Sequence, residues 1–193
     1  IQREYCNRRS VRPFDSKMAP HITLRSDRAR GELSLASNNM RAWIRVYVPS
    51  LARKLGIRLY HASNNGNHLH IVGIFPSRRA LSSFLRVAAG MIARRVLGAE
   101  KGKGAKTMFW TKRPYSRLLT WGREFKQVML YVHRNFLESR GRLPYTDRAR
   151  KLSERDVAFV ERSWLSERTT IEEALRGSHT LFDTLRGPKQ HPV

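Results

Sequence analysis

Cysteine is almost missing from this chain: Cys6 is the single one among 193 residues. One thiol closes no intramolecular disulfide and builds no cysteine zinc cluster, so a reducing compartment suits the sequence. Acidic residues are scarce where they would matter. Positions 150 to 193 hold eight Lys or Arg and seven Asp or Glu, which leaves thirty basic against eight acidic residues in positions 1 to 149. Those eight, Glu4, Asp15, Asp27, Glu32, Glu100, Glu124, Glu138 and Asp147, are scattered, with no pair at a motif spacing. Nucleases and transposases that hold metal ions on carboxylate clusters need several such groups together, so that chemistry is disfavoured. Long apolar runs are missing too. No stretch approaches the ~18 residues of a membrane span, and the first residues lack the apolar segment of a signal peptide. The expectation is a cytoplasmic, nucleoid-associated protein.

What is abundant is positive charge, +23 in total. Its concentration ahead of position 150 points to a polyanionic partner, bound through phosphate contacts that release counterions. Hydrophobic residues still make up 40% of the chain, and eighteen aromatics are spread along it, enough to support a folded core. The length suits one catalytic domain with an appended segment.

Local patterns predict the elements. Residues 1–13 read as a basic arm. Ala19 to Arg25 alternates like a strand. Asn38 or Asn39 is placed to cap a helix carrying Trp43, Ile44, Tyr47, Leu51 and Leu55, which Pro49 is expected to kink or split and Gly56 to end. Two apolar runs, residues 57–60 and 69–75, flank the turn signal Ser63-Asn64-Asn65-Gly66, as in a hairpin or a bulged strand. Ser77 caps a helix over 78–97, whose Leu81, Phe84, Leu85, Ala88, Met91, Ile92 and Val96 repeat near every 3.6 residues. After the Gly- and Lys-rich stretch 98–106, Met108-Phe109-Trp110 begins a strand, residues 115–120 form another, and 123–137 a helix that Gly141 and Pro144 close. Beyond Tyr145, Ser153 and Thr170 each head a capping box, predicting two short helices. This order suggests an α/β sandwich (α+β) around an antiparallel sheet.

Two pairs of residues carry chemistry. In His68-Leu69-His70 the period of two aims both imidazoles to one side of a strand, where they can grip one metal ion. Tyr131 and Asn135 lie one helical turn apart and share a face, which suits a nucleophile beside a ligand. Each pair alone has an ordinary structural reading, as surface histidines and as a half-buried helix aromatic. Their coexistence favours a site.

These residues resemble the HUH single-tyrosine transposases, and especially the REP-associated tyrosine transposases of bacteria. The likeness rests on four segments spread over residues 14–145: His21-Ile22-Thr23-Leu24-Arg25, Asn67-His68-Leu69-His70-Ile71, the run from Phe109-Trp110 to Tyr115, and Tyr131-Val132-His133-Arg134-Asn135. The resemblance implies His68, His70 and Asn135 as metal ligands and Tyr131 as nucleophile. It also implies a ferredoxin-like HUH fold, with a central antiparallel sheet, helices on one face and a short helical C-terminal extension over residues 146–193. Two departures stand out: Asn65-Gly66 replaces the family's Met-Pro, and Phe136 its Pro.

The implied reaction cuts and rejoins single-stranded or hairpin DNA through a 5′-phosphotyrosine, with Mg or Mn as the favoured ion and no nucleotide cofactor, in a monomer or homodimer. Arg25, Lys112, Arg113, Lys126 and Arg134 are candidates for phosphate contacts, and Trp110 and Tyr115 for stacking on unpaired bases or for the core. His133 is expected to point away from Tyr131. A different class, a nucleic-acid-binding protein that keeps the fold without chemistry, has no physical need for all four of His68, His70, Tyr131 and Asn135.

Overall fold

The computed structural model describes residues 12–99, 107–147 and 152–177. Its first strand, β1 (Ala19–Arg25), is followed by a short 3-10 turn and by α1 (Asn38–Lys54). The hairpin β2 (Arg58–Asn64) and β3 (His68–Ile74) comes next, then α2 (Arg78–Val96), β4 (Tyr115–Leu119), α3 (Arg123–Ser139) and α4 (Glu154–Gly177). The strands form one antiparallel sheet in the order β2-β3-β1-β4.

Local chemistry sets most boundaries. Ser77 Oγ accepts from the Ala80 amide and caps α2 as its sequence predicts. For α1 the cap is Ser37, one residue before the expected asparagines, its hydroxyl accepting from Met40 N. Pro49 lies inside α1 without splitting it. Its ring removes one amide, but Val48, Leu51 and Ala52 around it are buried in the core, and packing outweighs the ~3 kcal/mol penalty of an interior proline. Gly56 takes φ +66 just past the helix end, the left-handed conformation that glycine adopts without cost. The hairpin is bulged between Leu59 and His61, and there Gly73 is obligatory, since a Cβ would sit 2.8 Å from the Arg58 carbonyl.

Period-two alternation divides the sheet. Ile22, Leu24, Leu69 and Ile71 point to one side and meet Ile44, Val48 and Leu51 of α1 and Leu81, Phe84 and Ala88 of α2. Their neighbours Ala19 and Val72, with Leu119 of β4, point to the other, where Val128, Met129 and Val132 of α3 cover them. The antiparallel α/β architecture is as expected, but the expectation of helices on one face is corrected: α1 and α2 cover one face and α3 the other. The physical reason is that β1, β3 and β4 carry apolar residues of both parities near one end, so two surfaces need cover.

Two further differences concern elements with weak local signals. Met108 to Trp110 form no strand; Phe109 is buried in the first core, and its carbonyl accepts from Ser26 Oγ. Among the described residues the tail forms one continuous helix rather than two. Ser153 caps α4 through the Asp156 amide, whereas Thr170 lies within the helix. That helix packs on α3 through Phe136, Leu137, Leu143 and Val160. No described helix is long and apolar enough to cross a membrane.

Candidate active site

Strand pairing assembles the site from residues far apart in the chain. Thr23 sits opposite both His70 and Tyr115, Arg25 opposite His68, and His21 opposite Val72 and Arg117. All of these side chains lie on the face that α3 covers, because directly paired residues share a face. Along β1 this face passes from Ala19 through His21 and Thr23 to Arg25, from apolar to charged. Helix α3 packs on the apolar end, and its flank bearing Gln127 and Tyr131 runs beside His21 and His70.

The imidazoles form a chain. His68 Nδ1 donates to Asn67 Oδ1 at 2.6 Å, which leaves a lone pair on its Nε2. That nitrogen lies 3.1 Å from His70 Nε2. On its other side His70 Nδ1 is 2.9 Å from His21 Nε2 and 3.3 Å from Thr23 Oγ1. When His70 donates from Nδ1 to His21, the Nε2 lone pairs of His68 and His70 face each other across 3.1 Å. A single cation at ~2.1 Å from each nitrogen fits that separation. The residues present therefore suit a divalent ion.

Burial keeps the histidines neutral, the form that binds metal. Desolvation, followed by the Arg25 charge, lowers His68 to about 4. Desolvation and then Arg117 lower His21 to about 4. His70 falls to about 2, through burial first and then its histidine neighbours His68, His21 and His61. Among the described residues no three of His, Cys, Asp or Glu are grouped to hold a metal, so further donors to the pair would be amide, hydroxyl or water oxygens.

Tyr131 is 43% exposed, and its ring stands edge-on to His70 with centroids 6.0 Å apart. Asn135 is half-buried one turn further along α3. Beside Tyr131 opens a cleft of about 560 Å³, lined by His21, Tyr115, Arg117, Glu124, Gln127, Val128 and Tyr131. Arg117 and Glu124 pair at 3.0 Å across it.

Other sequence candidates fare differently. Tyr115 lines the cleft with an exposed ring. Arg25 and Lys112 gather around Asp27, at 3.5 Å and 3.9 Å, and Arg113 is exposed beside them. Lys126 is paired with Glu161 of α4 at 2.9 Å. One candidate is corrected, and for Trp110 the core alternative holds. Arg134 is buried, bound to Glu138 at 2.9 Å and donating to the Thr146 carbonyl, so it anchors the helix end rather than facing a phosphate. Trp110 packs on the first core, its indole N–H donating to Ala89 O. His133 is fully buried against His61 and Phe136, away from the Tyr131 flank.

The sequence reading left His21, Arg117 and Gln127 out of the site. Gln127 was findable as the residue one turn before Tyr131, and Arg117 as the strand neighbour two after Tyr115. His21 had no such signal, since only register places it against His70.

The site thus combines a helix-borne tyrosine with paired strand histidines on a four-stranded antiparallel sheet flanked by helices. One solved structure shares this fold and another resembles it more loosely. A REP-associated tyrosine transposase bound to a REP hairpin matches with a TM-score of 0.52 and 13% identity, over 69% of this chain and 74% of that one. A Deinococcus radiodurans protein named as a transposase matches with a TM-score of 0.42 and 15% identity, over 65% of this chain and 96% of that one. At such identities the likeness is one of fold. No protein-family model and no curated protein sequence matches the chain.

Proposed function

We propose that this protein is a transposase that cleaves and rejoins single-stranded DNA, with Tyr131 as the nucleophile. The observation that supports this reading best is the convergence of His68 and His70 Nε2 beside the Tyr131 ring. A buried and a half-buried imidazole meet at one point, and the Tyr131 ring stands against the buried one.

In this reading His68, His70 and Asn135 would hold Mg or Mn, which supplies Lewis-acid stabilisation of charge on the scissile phosphate. His21, by accepting from His70 Nδ1, would hold His70 in the tautomer that leaves Nε2 free. The Tyr131 oxygen attacks phosphorus and the P–O3′ bond breaks. The phenolic proton leaves and the departing 3′ oxygen gains one, giving a 5′-phosphotyrosine and a 3′-OH. Attack by another 3′-OH reverses the step and joins strands without a nucleotide cofactor. Arg25, exposed beside His68, and Arg117 in the cleft are placed to meet backbone phosphates, and Tyr115 to stack on a base. DNA as partner agrees with the charge of +23 and with the hairpin carried by the structural neighbour.

The test incubates end-labelled single-stranded hairpin DNA with the protein and Mn²⁺ and resolves covalent adducts on a denaturing gel. The expected result is an adduct removed by EDTA and reduced on the order of 10³-fold or more in Tyr131→Phe. Tight binding without any adduct, across varied hairpins and both Mn²⁺ and Mg²⁺, would overturn the reading in favour of a non-catalytic DNA-binding protein.

A further inference from the structure

The turn that joins β2 to β3 puts a third polar group at the histidine pair. Asn65 N donates to the His68 carbonyl at 2.9 Å, which closes the turn and fixes where the Asn65 side chain starts. Its amide then reaches back over the imidazole, with Nδ2 3.2 Å from His68 Nε2, the nitrogen that also lies 3.1 Å from His70 Nε2. His68 Nε2 is therefore flanked at nearly equal distances by a second imidazole and by an amide. The other end of that amide, Asn65 Oδ1, is buried and meets no hydrogen-bond donor among the described residues. A buried oxygen without a partner has lost its water contacts uncompensated, which makes it an available donor atom. The next residue is held separately: Gly66 N donates to Asn64 Oδ1, and Asn64 Nδ2 donates to Leu35 O. The turn is thus braced by Asn64, and the Asn65 amide is left to serve the histidines.

We infer that Asn65 is an additional oxygen ligand of the metal site, a role that rests on the proposed reading of His68 and His70. Without metal, the amide N–H donates to the His68 lone pair. A turn about the Cβ–Cγ bond would present Oδ1 to a divalent cation held by the two imidazoles, as a hard neutral donor of the kind Mg²⁺ and Mn²⁺ prefer. The terminal torsion of asparagine is broad, so the turn needs no backbone movement. The assignment is specific to this chain, because Asn65-Gly66 stands where the resembling family has Met-Pro, and neither of those residues offers an amide side chain. It also draws a ligand from the turn just ahead of β3, next to the two on that strand.

The experiment titrates the full-length protein with Mn²⁺ alone and follows the free-ion signal by electron paramagnetic resonance, so that binding is read without DNA or turnover. Relative to the native protein, Asn65→Leu should weaken the Mn²⁺ Kd about 10-fold or more. Asn65→Asp keeps the size and adds charge at the same position, so it should bind at least as tightly as the native protein while folding as it does. His68→Ala should abolish specific binding. Native affinity in Asn65→Leu, with binding lost in His68→Ala, would overturn the role of Asn65 and leave the histidine pair standing. Absence of specific Mn²⁺ binding by the native protein would overturn both. Weakening in Asn65→Asp equal to that in Asn65→Leu would assign the residue to the turn instead and overturn the ligand role.

Discussion

The two faces of the central sheet are made from the same strands and behave as different materials. On one, Ile22, Leu24, Leu69 and Ile71 are at most 2% exposed and contribute nothing but apolar area to the core under α1 and α2. On the other, the interleaved His21 and His70 are buried and His68 half-buried, yet each brings nitrogen atoms that burial penalises. The difference teaches that one strand can serve stability and chemistry at once, because alternation sends successive residues to opposite sides. In His68-Leu69-His70-Ile71 the even positions build the site and the odd ones build the core.

The largest expected contrast comes from truncating adjacent residues of β3. Leu69→Ala removes a fully buried side chain and should cost ~2–5 kcal/mol of unfolding free energy in a denaturant titration. His68→Ala should change stability far less and abolish metal-dependent adduct formation. A large stability loss in His68→Ala would erase the distinction between the faces.

A pH series separates them next. His61, also on the histidine face, is lowered to about 3, by burial first and then by His133 and His21. Below the ordinary histidine value of about 6.5 the unfolded chain takes up a proton that the folded chain refuses. Stability from this residue is therefore complete above about 6.5 and is lost as pH falls towards about 3. His133, lowered to about 4 by burial and then Arg142, acts in the same direction. Thermal melts should show Tm falling as pH drops from 6.5 to 4, and His61→Leu should flatten part of that slope. A Tm independent of pH over this range would mean that the face is not the neutral, desolvated surface described above.

The smallest effect sharpens the comparison within the polar face itself. His21 meets the histidine pair through His70, so His21→Phe should weaken Mn²⁺ binding roughly 10-fold, in the range of groups that orient a ligand. His21→Gln, which can still accept from His70 Nδ1, should recover part of the loss. Equal losses in both variants would assign His21 to packing alone.

Much of this molecule was legible in its residues. The alternation of β1 and β3, the Ser77 cap and 3.6-residue period of α2, the His68–His70 pair and the Tyr131–Asn135 spacing all depend on interactions within about one helical turn or two strand positions, which the sequence carries directly. The cap at Ser37 and the continuous α4 departed from expectation because several neighbouring residues could have served, and packing chose between them. Tertiary structure alone decided the rest. It put His21 against His70, 49 residues away. It buried Arg134, which donates to the Thr146 carbonyl twelve residues on, set Trp110 onto the first core, and laid α3 across the second face. In each case the deciding energy is strand register or burial between segments distant in the chain, and no local pattern encodes which partner a side chain will meet once the chain closes on itself.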